Sequence, residues 1–231
     1  MRRAAGLLFD KDGTLFDFQK SWARFTLRLI DRLAEGDGMV SARLGVALGI
    51  APDTGRFLPD SPIIAGTPDA AVIAALPHLP GWTAASLTDL INTEAAQVPQ
   101  VEAVPLQRLF TALASAGHPL GIATNDAENS AKAHLQAAGI EEYFEFIAGY
   151  DSGFGAKPEP GQCNAFTKAV ALPPESCVMV GDSLHDLIAG RAAGMRCVAV
   201  LTGVADAKTL APHADAVFPD IGHLPAWLAQ I

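Results

Sequence analysis

The fold is decided by residues 4–15, which read AAGLLFDKDGTL. The apolar first half predicts a short strand that is buried on both faces of a parallel sheet. Asp10 and Asp12 follow at its carboxyl end, where open α/β sheets bind their ligands. Alternation along the strand aims both carboxylates to one side, and their mutual repulsion predicts a cation or a shared proton. The pattern Asp-x-Asp-Gly also occurs in ordinary turns and calcium loops, so other motifs have to separate these interpretations.

The composition is that of an ordered globular protein. Of the 231 residues, 50% are hydrophobic and 18% are charged, which argues against a disordered chain. The net charge of -9 argues against nucleic acid as a partner. It also means that an anionic substrate needs local cations, which favours a metal site.

The sequence predicts a cytoplasmic protein. Cys163, Cys177 and Cys197 are odd in number and form no C-x-x-C pair, which is typical of reduced thiols in a core. The apolar run after Arg2 and Arg3 is too short for a signal peptide, and no run is long enough to span a bilayer. We therefore expect a small-molecule partner and no membrane, with a monomer and a homodimer both left open.

Residues 16–100 are predicted to form a helical block. Three- and four-residue spacing of apolar residues, together with capping residues and prolines, predicts four helices and one loop. The helices cover about Gln19–Ala34, Met39–Leu48, Thr67–Leu76 and Ala84–Ala96, and the loop covers Ala51–Gly66. No strand pattern occurs in this block, which indicates an insertion after the first strand.

Basic side chains follow one face of the first helix at i,i+4 spacing. They are Lys20, Arg24, Arg28 and Arg32. This face either meets solvent or faces the substrate, and the sequence leaves both alternatives open.

From Pro105 onward, helices and strands alternate. The predicted strands are Pro119–Ala123, Phe144–Ala148, Cys177–Val180, Cys197–Leu201 and Ala216–Phe218. The helices between and after them cover about Leu106–Ala116, Glu128–Ala138, Gln162–Ala171, Leu184–Ala193 and Leu224–Gln230. This alternation predicts an α/β fold with a doubly wound, Rossmann-like parallel sheet and a small all-helical block inserted after the first strand.

Polar side chains follow two further predicted strands. Thr124 and Asn125 follow one strand, Asp182 follows another, and Lys157 lies on a loop between them. Because the ends of parallel strands share one edge of the sheet, we expect these groups to converge on Asp10. A hydroxyl, a cation and carboxylates suit phosphate and a hard metal ion. Asp182 could also be only a helix cap, and Lys157 only a surface lysine.

Together these motifs resemble the haloacid dehalogenase superfamily of phosphohydrolases. The matching segments are DKDGT at 10–14, TN at 124–125, KP at 157–158 and GDSLHD at 181–186. The resemblance spans nearly the whole chain, and it implies a catalytic core of residues 1–15 and 101–231 with a helical cap at 16–100. Two positions depart from the commonest family pattern. Lys11 could reach the cap or the solvent, and Gly161 stands where a helix-capping acid is frequent.

The resemblance also implies a role for each acidic residue. Asp10 would be the nucleophile that forms an aspartyl-phosphate. Asp12 would be the general acid and then the general base, and its main-chain carbonyl would join the metal shell. Mg²⁺ would be held by Asp10, Asp12 and Asp182. Asp186 would orient metal-bound waters or Lys157, contact the metal, or serve only as a buried helix-start partner.

The remaining matched residues would bind the substrate. The resemblance implies that Thr124, Asn125 and Lys157 hold the transferring phosphoryl group, and that Thr124 and Lys157 also spread its charge during the reaction.

The implied activity is hydrolysis of a small phosphorylated metabolite by a Mg²⁺-dependent phosphatase. The layout looks most like phosphoglycolate phosphatases, including the segments TND at 124–126 and DSG at 151–153. A sugar-phosphate phosphatase or a phosphomutase of the same superfamily is the nearest alternative. A dehalogenase is disfavoured because that branch lacks the second aspartate and the metal. A non-catalytic binding protein on the same fold is a further alternative, against which the presence of all three aspartates argues.

Overall fold

The predicted helices and strands all occur in the predicted order, and a few short elements are present in addition. The computed structural model describes residues 5–51, 53–64 and 66–230; Ala4 of the predicted first strand and Pro52 and Ala65 of the predicted loop lie outside the described residues. The strands are β1 (Gly6–Phe9), β2 (Ile50–Ala51), β3 (Arg56–Phe57), β4 (Leu120–Ala123), β5 (Phe146–Ala148), β6 (Cys177–Gly181), β7 (Arg196–Val200) and β8 (Ala216–Phe218).

Helices cover most of the remaining chain. They are α1 (Phe18–Ala34), α2 (Gly38–Ala47), α3 (Pro68–Ala75), α4 (Ala84–Ala95), α5 (Leu106–Ser115), α6 (Glu128–Ala137), α7 (Gly161–Ala169), α8 (Leu184–Ala192), α9 (Ala207–Leu210) and α10 (Leu224–Leu228). Single 3-10 turns cover Leu76–His78, Glu141–Tyr143, Pro174–Ser176, Ala211–His213 and Ile221–His223. Across the described residues, no helix combines the length and the apolar character that crossing a bilayer requires.

The main sheet is parallel and places the predicted strand ends at one edge. Its order is β5-β4-β1-β6-β7-β8, and every neighbouring pair runs parallel. Phe9 of β1 is in register with Ile122 of β4 and with Val180 of β6. The chain therefore leaves these three strands side by side, where the strand order reverses. This arrangement confirms the predicted doubly wound parallel sheet.

Helices cover both faces of this sheet. Leu7 and Phe9 pack in one cluster with side chains of α5 and α6, whereas Leu8 packs on the other face with side chains of α7 and α8. A strand that is buried on both faces has no place for polar side chains until it ends. The first carboxylate, Asp10, therefore comes directly after β1.

The helical block has its own apolar core. The buried residues of α1 recur at three- and four-residue steps and include Phe18, Trp22, Phe25, Leu29 and Leu33. They pack with side chains of α2, α3 and α4 in a single cluster. The carboxylate of Asp17 caps α1 by accepting a hydrogen bond of 3.0 Å from the N–H of Lys20, and Glu35, in the left-handed region (φ 48°), ends the helix.

A short hairpin within this block departs from the all-helical prediction. β2 and β3 pair antiparallel, with Ile50 opposite Phe57. The side chain of Gln19 on α1 holds the hairpin, donating 2.7 Å to the carbonyl of Gly55 and accepting 3.3 Å from the N–H of Phe57. Strands of two residues are too short to show alternation in the sequence, which explains why this pair was not predicted.

The two chain segments that connect the helical block to the sheet run side by side. The N–H of Ala103 donates to the carbonyl of Leu15 (2.9 Å), and the N–H of Asp17 donates to the carbonyl of Val101 (2.8 Å). These hydrogen bonds pair the entry and the exit of the block.

Candidate active site

Lys157 joins the ends of two strands and the start of a helix at the predicted edge of the sheet. Its ammonium group donates 2.6 Å to Oδ1 of Asp10 after β1, 2.7 Å to the carbonyl of Ala123 in β4, and 2.6 Å to Oδ1 of Asp186 in α8. Its side chain is 2% exposed, so the interpretation as a surface lysine is wrong. Burial disfavours its charge, but Asp10 and Asp186 outweigh that effect and raise the pKa of Lys157 above its ordinary value.

Three buried carboxylates lie beside this ammonium group. Among the described residues, Asp10, Asp182 and Asp186 each offer a carboxylate oxygen, and these oxygens lie within 4.8 Å of one another. Burial raises the pKa of Asp10 to about 7, against the opposing effect of Lys157. Burial and the charges of Asp10 and Asp186 raise the pKa of Asp182 well above its ordinary range.

This donor set fits a hard divalent cation. Carboxylate oxygens are the ligands that Mg²⁺ takes in proteins. Burial is the largest cause of the raised pKa values of Asp10 and Asp182, and the charges of neighbouring carboxylates add to it. A bound cation would relieve the repulsion that Lys157 offsets only in part.

Asp182 is held in a niche between two glycines. A Cβ atom at Gly13 would lie 2.4 Å from Oδ2 of Asp182, and one at Gly203 would lie 1.7 Å from the same atom. Gly13 also has a φ of +88°, which the turn after Asp12 requires. The Thr14 hydroxyl lies 3.4 Å from the other carboxylate oxygen, Oδ1 of Asp182. The turn of the DKDGT segment at 10–14 therefore lies directly against the carboxylate of Asp182.

Asp186 has a structural task as well as the contact with Lys157. Its Oδ2 accepts hydrogen bonds from the N–H (3.0 Å) and the hydroxyl (2.6 Å) of Ser183, which is the N-cap of α8. The interpretation of Asp182 as the helix cap is therefore wrong, because Ser183 occupies that position. Asp186 is therefore a buried helix-start partner that also accepts a hydrogen bond from Lys157.

Thr124 and Asn125 lie at the end of β4 and are both buried. The hydroxyl of Thr124 accepts a hydrogen bond from the N–H of Asp126 (3.1 Å). Asn125 pairs with the main chain of Lys157: Nδ2 donates to the Lys157 carbonyl (2.9 Å), and Oδ1 accepts from the Lys157 N–H (2.9 Å). Asn125 thus fixes the loop that carries the lysine.

Asp12 is engaged by a different set of groups. Its Oδ1 accepts 2.8 Å from Nε1 of Trp22 in α1, and its Oδ2 lies 2.6 Å from Nζ of Lys11. Trp22 of the helical block thus holds one carboxylate oxygen of Asp12, and Lys11 at the end of β1 holds the other. The carboxylate of Asp12 is not part of the acidic cluster of Asp10, Asp182 and Asp186; the resemblance implies that Asp12 joins the metal shell through its main-chain carbonyl.

Lys11 faces the helical block and not the solvent, which settles the alternative that the sequence left open. It is fully buried, and its ammonium group lies 3.1 Å from Oδ2 of Asp126, 3.0 Å from Nδ1 of His134 and 5.5 Å from the ring centroid of Trp22. Burial opposes its charge, but Asp12 and Asp126 raise the pKa of Lys11 above its ordinary value.

Lys11, Asp12, Asp126 and His134 form a second polar cluster, beside the one around Lys157. Nε2 lies 2.9 Å from the carbonyl of Ala95 in α4, so we assign the proton to Nε2 and let Nδ1 accept from Lys11. Burial, together with the charge of Lys11, lowers the pKa of His134 to about 4. The histidines form no spaced motif in the sequence, so no pattern predicts that His134 lies in this cluster.

The basic face of α1 meets solvent. Lys20, Arg24, Arg28 and Arg32 are all exposed. Lys20 pairs with Asp17 at 2.8 Å and Arg32 pairs with Glu94. The alternative of a substrate-facing stripe is therefore wrong.

A steric constraint explains why glycine, and not a helix-capping acid, stands at position 161. A Cβ atom at this position would lie 1.8 Å from the carbonyl oxygen of Phe154, so the loop that carries Lys157 leaves no room for a capping acid. Helix α7 nevertheless begins at Gly161.

A cavity of about 100 Å³ lies over the acidic cluster. Asp10, Lys157 and Asp182 line it on the side of the sheet, and helices α1, α3 and α4 line it on the other side. The cavity therefore joins the carboxylates to the interior of the helical block.

Comparisons with known proteins agree with this geometry. The family model of haloacid dehalogenase-like hydrolases matches residues 5–194. A phosphoglycolate phosphatase from Neisseria meningitidis is 40% identical over 115 residues, which are 49% of this chain and 48% of that protein. The chain thus spans about half the length of the first curated relatives that it matches.

Other matches extend over the whole chain. A phosphoglycolate phosphatase from Xanthomonas campestris pv. campestris is 30% identical over 240 residues, which cover 98% of this chain and 99% of that protein. The crystal structure of a predicted phosphoglycolate phosphatase from Haemophilus somnus 129pt has a TM-score of 0.73 at 21% identity, covers 99% of each chain, and shows the likeness of fold. As its motifs and its fold indicate, the chain belongs to the haloacid dehalogenase-like hydrolase family.

Proposed function

We propose that this protein is a Mg²⁺-dependent phosphatase that hydrolyses a small phosphate monoester through an aspartyl-phosphate on Asp10. One observation carries the proposal: the Lys157 ammonium group lies 2.6 Å from Oδ1 of Asp10, beside the carboxylates of Asp182 and Asp186. The names of the relatives support a phosphatase and make phosphoglycolate the reference substrate.

Asp10 is the nucleophile of the proposed reaction. Its carboxylate attacks phosphorus, the bond to the alcohol oxygen breaks, and a water later releases inorganic phosphate and restores the carboxylate. Lys157 holds the attacking oxygen and offsets the negative charge of the phosphoryl group. Thr124 and Asn125, at the end of β4, border the same cavity and complete the phosphate-binding groups.

Asp12 serves as the acid that protonates the leaving alcohol and then as the base that activates water. The side chain already lines the cavity, and its two oxygens are oriented by Lys11 and Trp22. This double contact supports the role because a proton donor has to be held within reach of the leaving oxygen.

Mg²⁺ fits the carboxylates of Asp10 and Asp182 with the main-chain carbonyl of Asp12, and when bound it supplies positive charge to the phosphoryl oxygens. Asp186, whose oxygens are taken by Lys157 and Ser183, positions the lysine. Residues 1–15 and 101–231 act as the catalytic core, and residues 16–100 act as a cap that covers the cavity and excludes water during the reaction. The cytoplasmic location and the oligomeric state stay predictions.

The test is release of inorganic phosphate from a panel of monoesters in the presence of Mg²⁺. We expect Asp10→Asn to lose more than about 10³-fold in kcat, since it removes the nucleophile, without a change in Tm beyond a few degrees. Asp31→Asn, an exposed aspartate of α1, is the matched control and should keep full activity. Full activity of Asp10→Asn, or full activity of the wild type in excess EDTA, would overturn the proposal.

A further inference from the structure

We infer that the alcohol part of the substrate is a small apolar alkyl or aryl group, and not a carboxylate or a sugar. The inference rests on the proposed phosphatase function and deepens it. The supporting observation is the wall of the cavity opposite the carboxylates. Its side chains are mostly apolar, whereas those at the sheet edge are charged or polar.

The part of the wall that comes from the helical block is almost entirely apolar. Among the described lining residues, the contributions of this block include Phe25 and Leu29 from α1, Ile64 before α3, Ala71 from α3 and Ile91 from α4. The charged side chains of the described lining are all carried by the sheet edge and its loops: Asp10, Asp12, Asp126, Lys157, Asp182 and Asp186.

A substrate carboxylate would find no cation on this wall. The basic residues of α1 are exposed on a different face of the helix and do not line the cavity. Lys157, the lysine of the described lining, already contacts two carboxylates. On the helical side, the polar side-chain groups are the Thr67 hydroxyl and the Trp22 N–H, and the latter donates to Asp12. A glycolate carboxylate placed here would be buried without a cation to offset its charge, which is strongly unfavourable.

An apolar group on the substrate binds favourably against the same wall, because it leaves water for an apolar surface. Each methylene that leaves water for such a wall raises kcat/KM by about fourfold. The apolar group has to be small, because the cavity of about 100 Å³ also receives the phosphoryl group beside Asp10.

Two isosteric substrates provide the test. Isobutyl phosphate and phosphoglycolate have the same number of heavy atoms and the same branching, so they differ in an isopropyl group against a carboxylate. We expect kcat/KM with Mg²⁺ to favour isobutyl phosphate at least tenfold, although glycolate is the better leaving group. Equal values, or a preference for phosphoglycolate, would overturn the inference and leave the phosphatase proposal standing.

A designed cation on the wall gives a second, independent measurement. Thr67 lines the cavity, and its side chain makes no capping hydrogen bond to α3, so Thr67→Arg should fold. We expect this variant to shift the ratio at least tenfold toward phosphoglycolate. Thr93→Arg, at an exposed position of α4 outside the cavity, adds the same charge and should leave the ratio unchanged.

Phenyl phosphate distinguishes a failure of the proposed phosphatase function from a failure of the inference about the alcohol group, because it carries an apolar group and a good leaving group. Phosphate release from phenyl and isobutyl phosphate, with little from phosphoglycolate, supports both the function and the inference. Release from none of the three with Mg²⁺ would defeat the proposed function and the inference together. An unchanged ratio in Thr67→Arg would show that the substrate does not reach this wall, and would overturn the inference alone.

Discussion

The Nζ atom of Lys157 lies 2.6 Å from Oδ1 of Asp10, a buried ion pair that links the loop after β5 to the end of β1. Lys157→Met keeps most of the side-chain volume and removes the charge, so the three neighbouring carboxylates repel one another. Breaking a buried ion pair costs about 3–5 kcal/mol in the free energy of unfolding. We expect this loss in urea titrations without metal, a smaller loss with Mg²⁺, and a fall in kcat of about 100-fold or more.

Lys132→Met is the matched control. Lys132 forms an ion pair of the same length, 2.6 Å, with Glu128, but this pair lies on the surface. An exposed pair contributes at most about 1 kcal/mol. If both variants lost the same free energy of unfolding, the buried environment of Lys157 would not matter and the prediction would be wrong.

The cluster around Lys11 makes a second prediction about stability. Lys11→Met leaves Asp12 and Asp126 without their cation, which should lower the free energy of unfolding by about 3–5 kcal/mol. Adding Asp126→Asn removes one of the two unpaired charges, so the double variant should be more stable than Lys11→Met alone. Urea unfolding of the four proteins in this cycle measures the coupling, and strictly additive losses would contradict it.

The polar side chains at the carboxyl ends of the strands could be predicted from the sequence. The contacts between the helical block and the edge of the sheet could not. Asp10, Thr124 and Asp182 are visible because an apolar strand stops at each of them, and parallel strands share their ends. Lys157 was expected near them because motifs of known order define its loop. The positions of Asp10, Thr124 and Asp182 depend only on local pattern and sheet topology.

Lys11, Trp22 and His134 show where the sequence was insufficient. A lysine beside two aspartates is usually solvated, and a tryptophan at helical spacing usually packs in a core. Lys11 is buried beside Trp22 of α1 and His134, and His134 in turn contacts α4. Trp22 donates to Asp12 because the helical block lies against the sheet edge. These contacts depend on how two distant segments pack.

His134 makes stability depend on pH in the acid range. Burial, with the charge of Lys11, lowers its pKa from 6.5 to about 4. Below pH 6.5 the unfolded chain takes up a proton that the folded protein does not bind until about pH 4, so this contribution to stability is present above pH 6.5 and is lost as the pH falls. Relative to His134→Gln, the wild type should lose about 3 kcal/mol between pH 7 and pH 4.

The readout is the difference between the unfolding free energies of wild type and variant, which removes the titration of the other groups. A difference that stays constant between pH 7 and pH 4 would contradict the buried neutral imidazole of His134.

Metal binding should be visible as stabilisation without any substrate. A ligand at 100 times its Kd that binds only the folded state adds about 2.7 kcal/mol. We expect Mg²⁺ to raise the Tm of the wild type, and Asp182→Asn to abolish most of this rise because it removes a buried carboxylate of the cluster. Asp31→Asn should respond to Mg²⁺ as the wild type does. An equal Mg²⁺-dependent rise in Asp182→Asn would place the ion elsewhere.

Gly203 provides a steric test of the position of Asp182. Because a Cβ atom here would lie 1.7 Å from Oδ2 of Asp182, Gly203→Ala has to displace that carboxylate. A misplacement of about 1 Å costs about 10²-fold in rate, and the Mg²⁺-dependent rise in Tm should shrink with it. Gly38→Ala is the control, since a Cβ atom at this first residue of α2 meets nothing within 4 Å. That variant should keep full activity and gain up to about 1 kcal/mol in the helix. Full activity and full Mg²⁺ stabilisation in Gly203→Ala would show that the reaction tolerates a displaced Asp182, which its proposed role as a metal ligand does not allow.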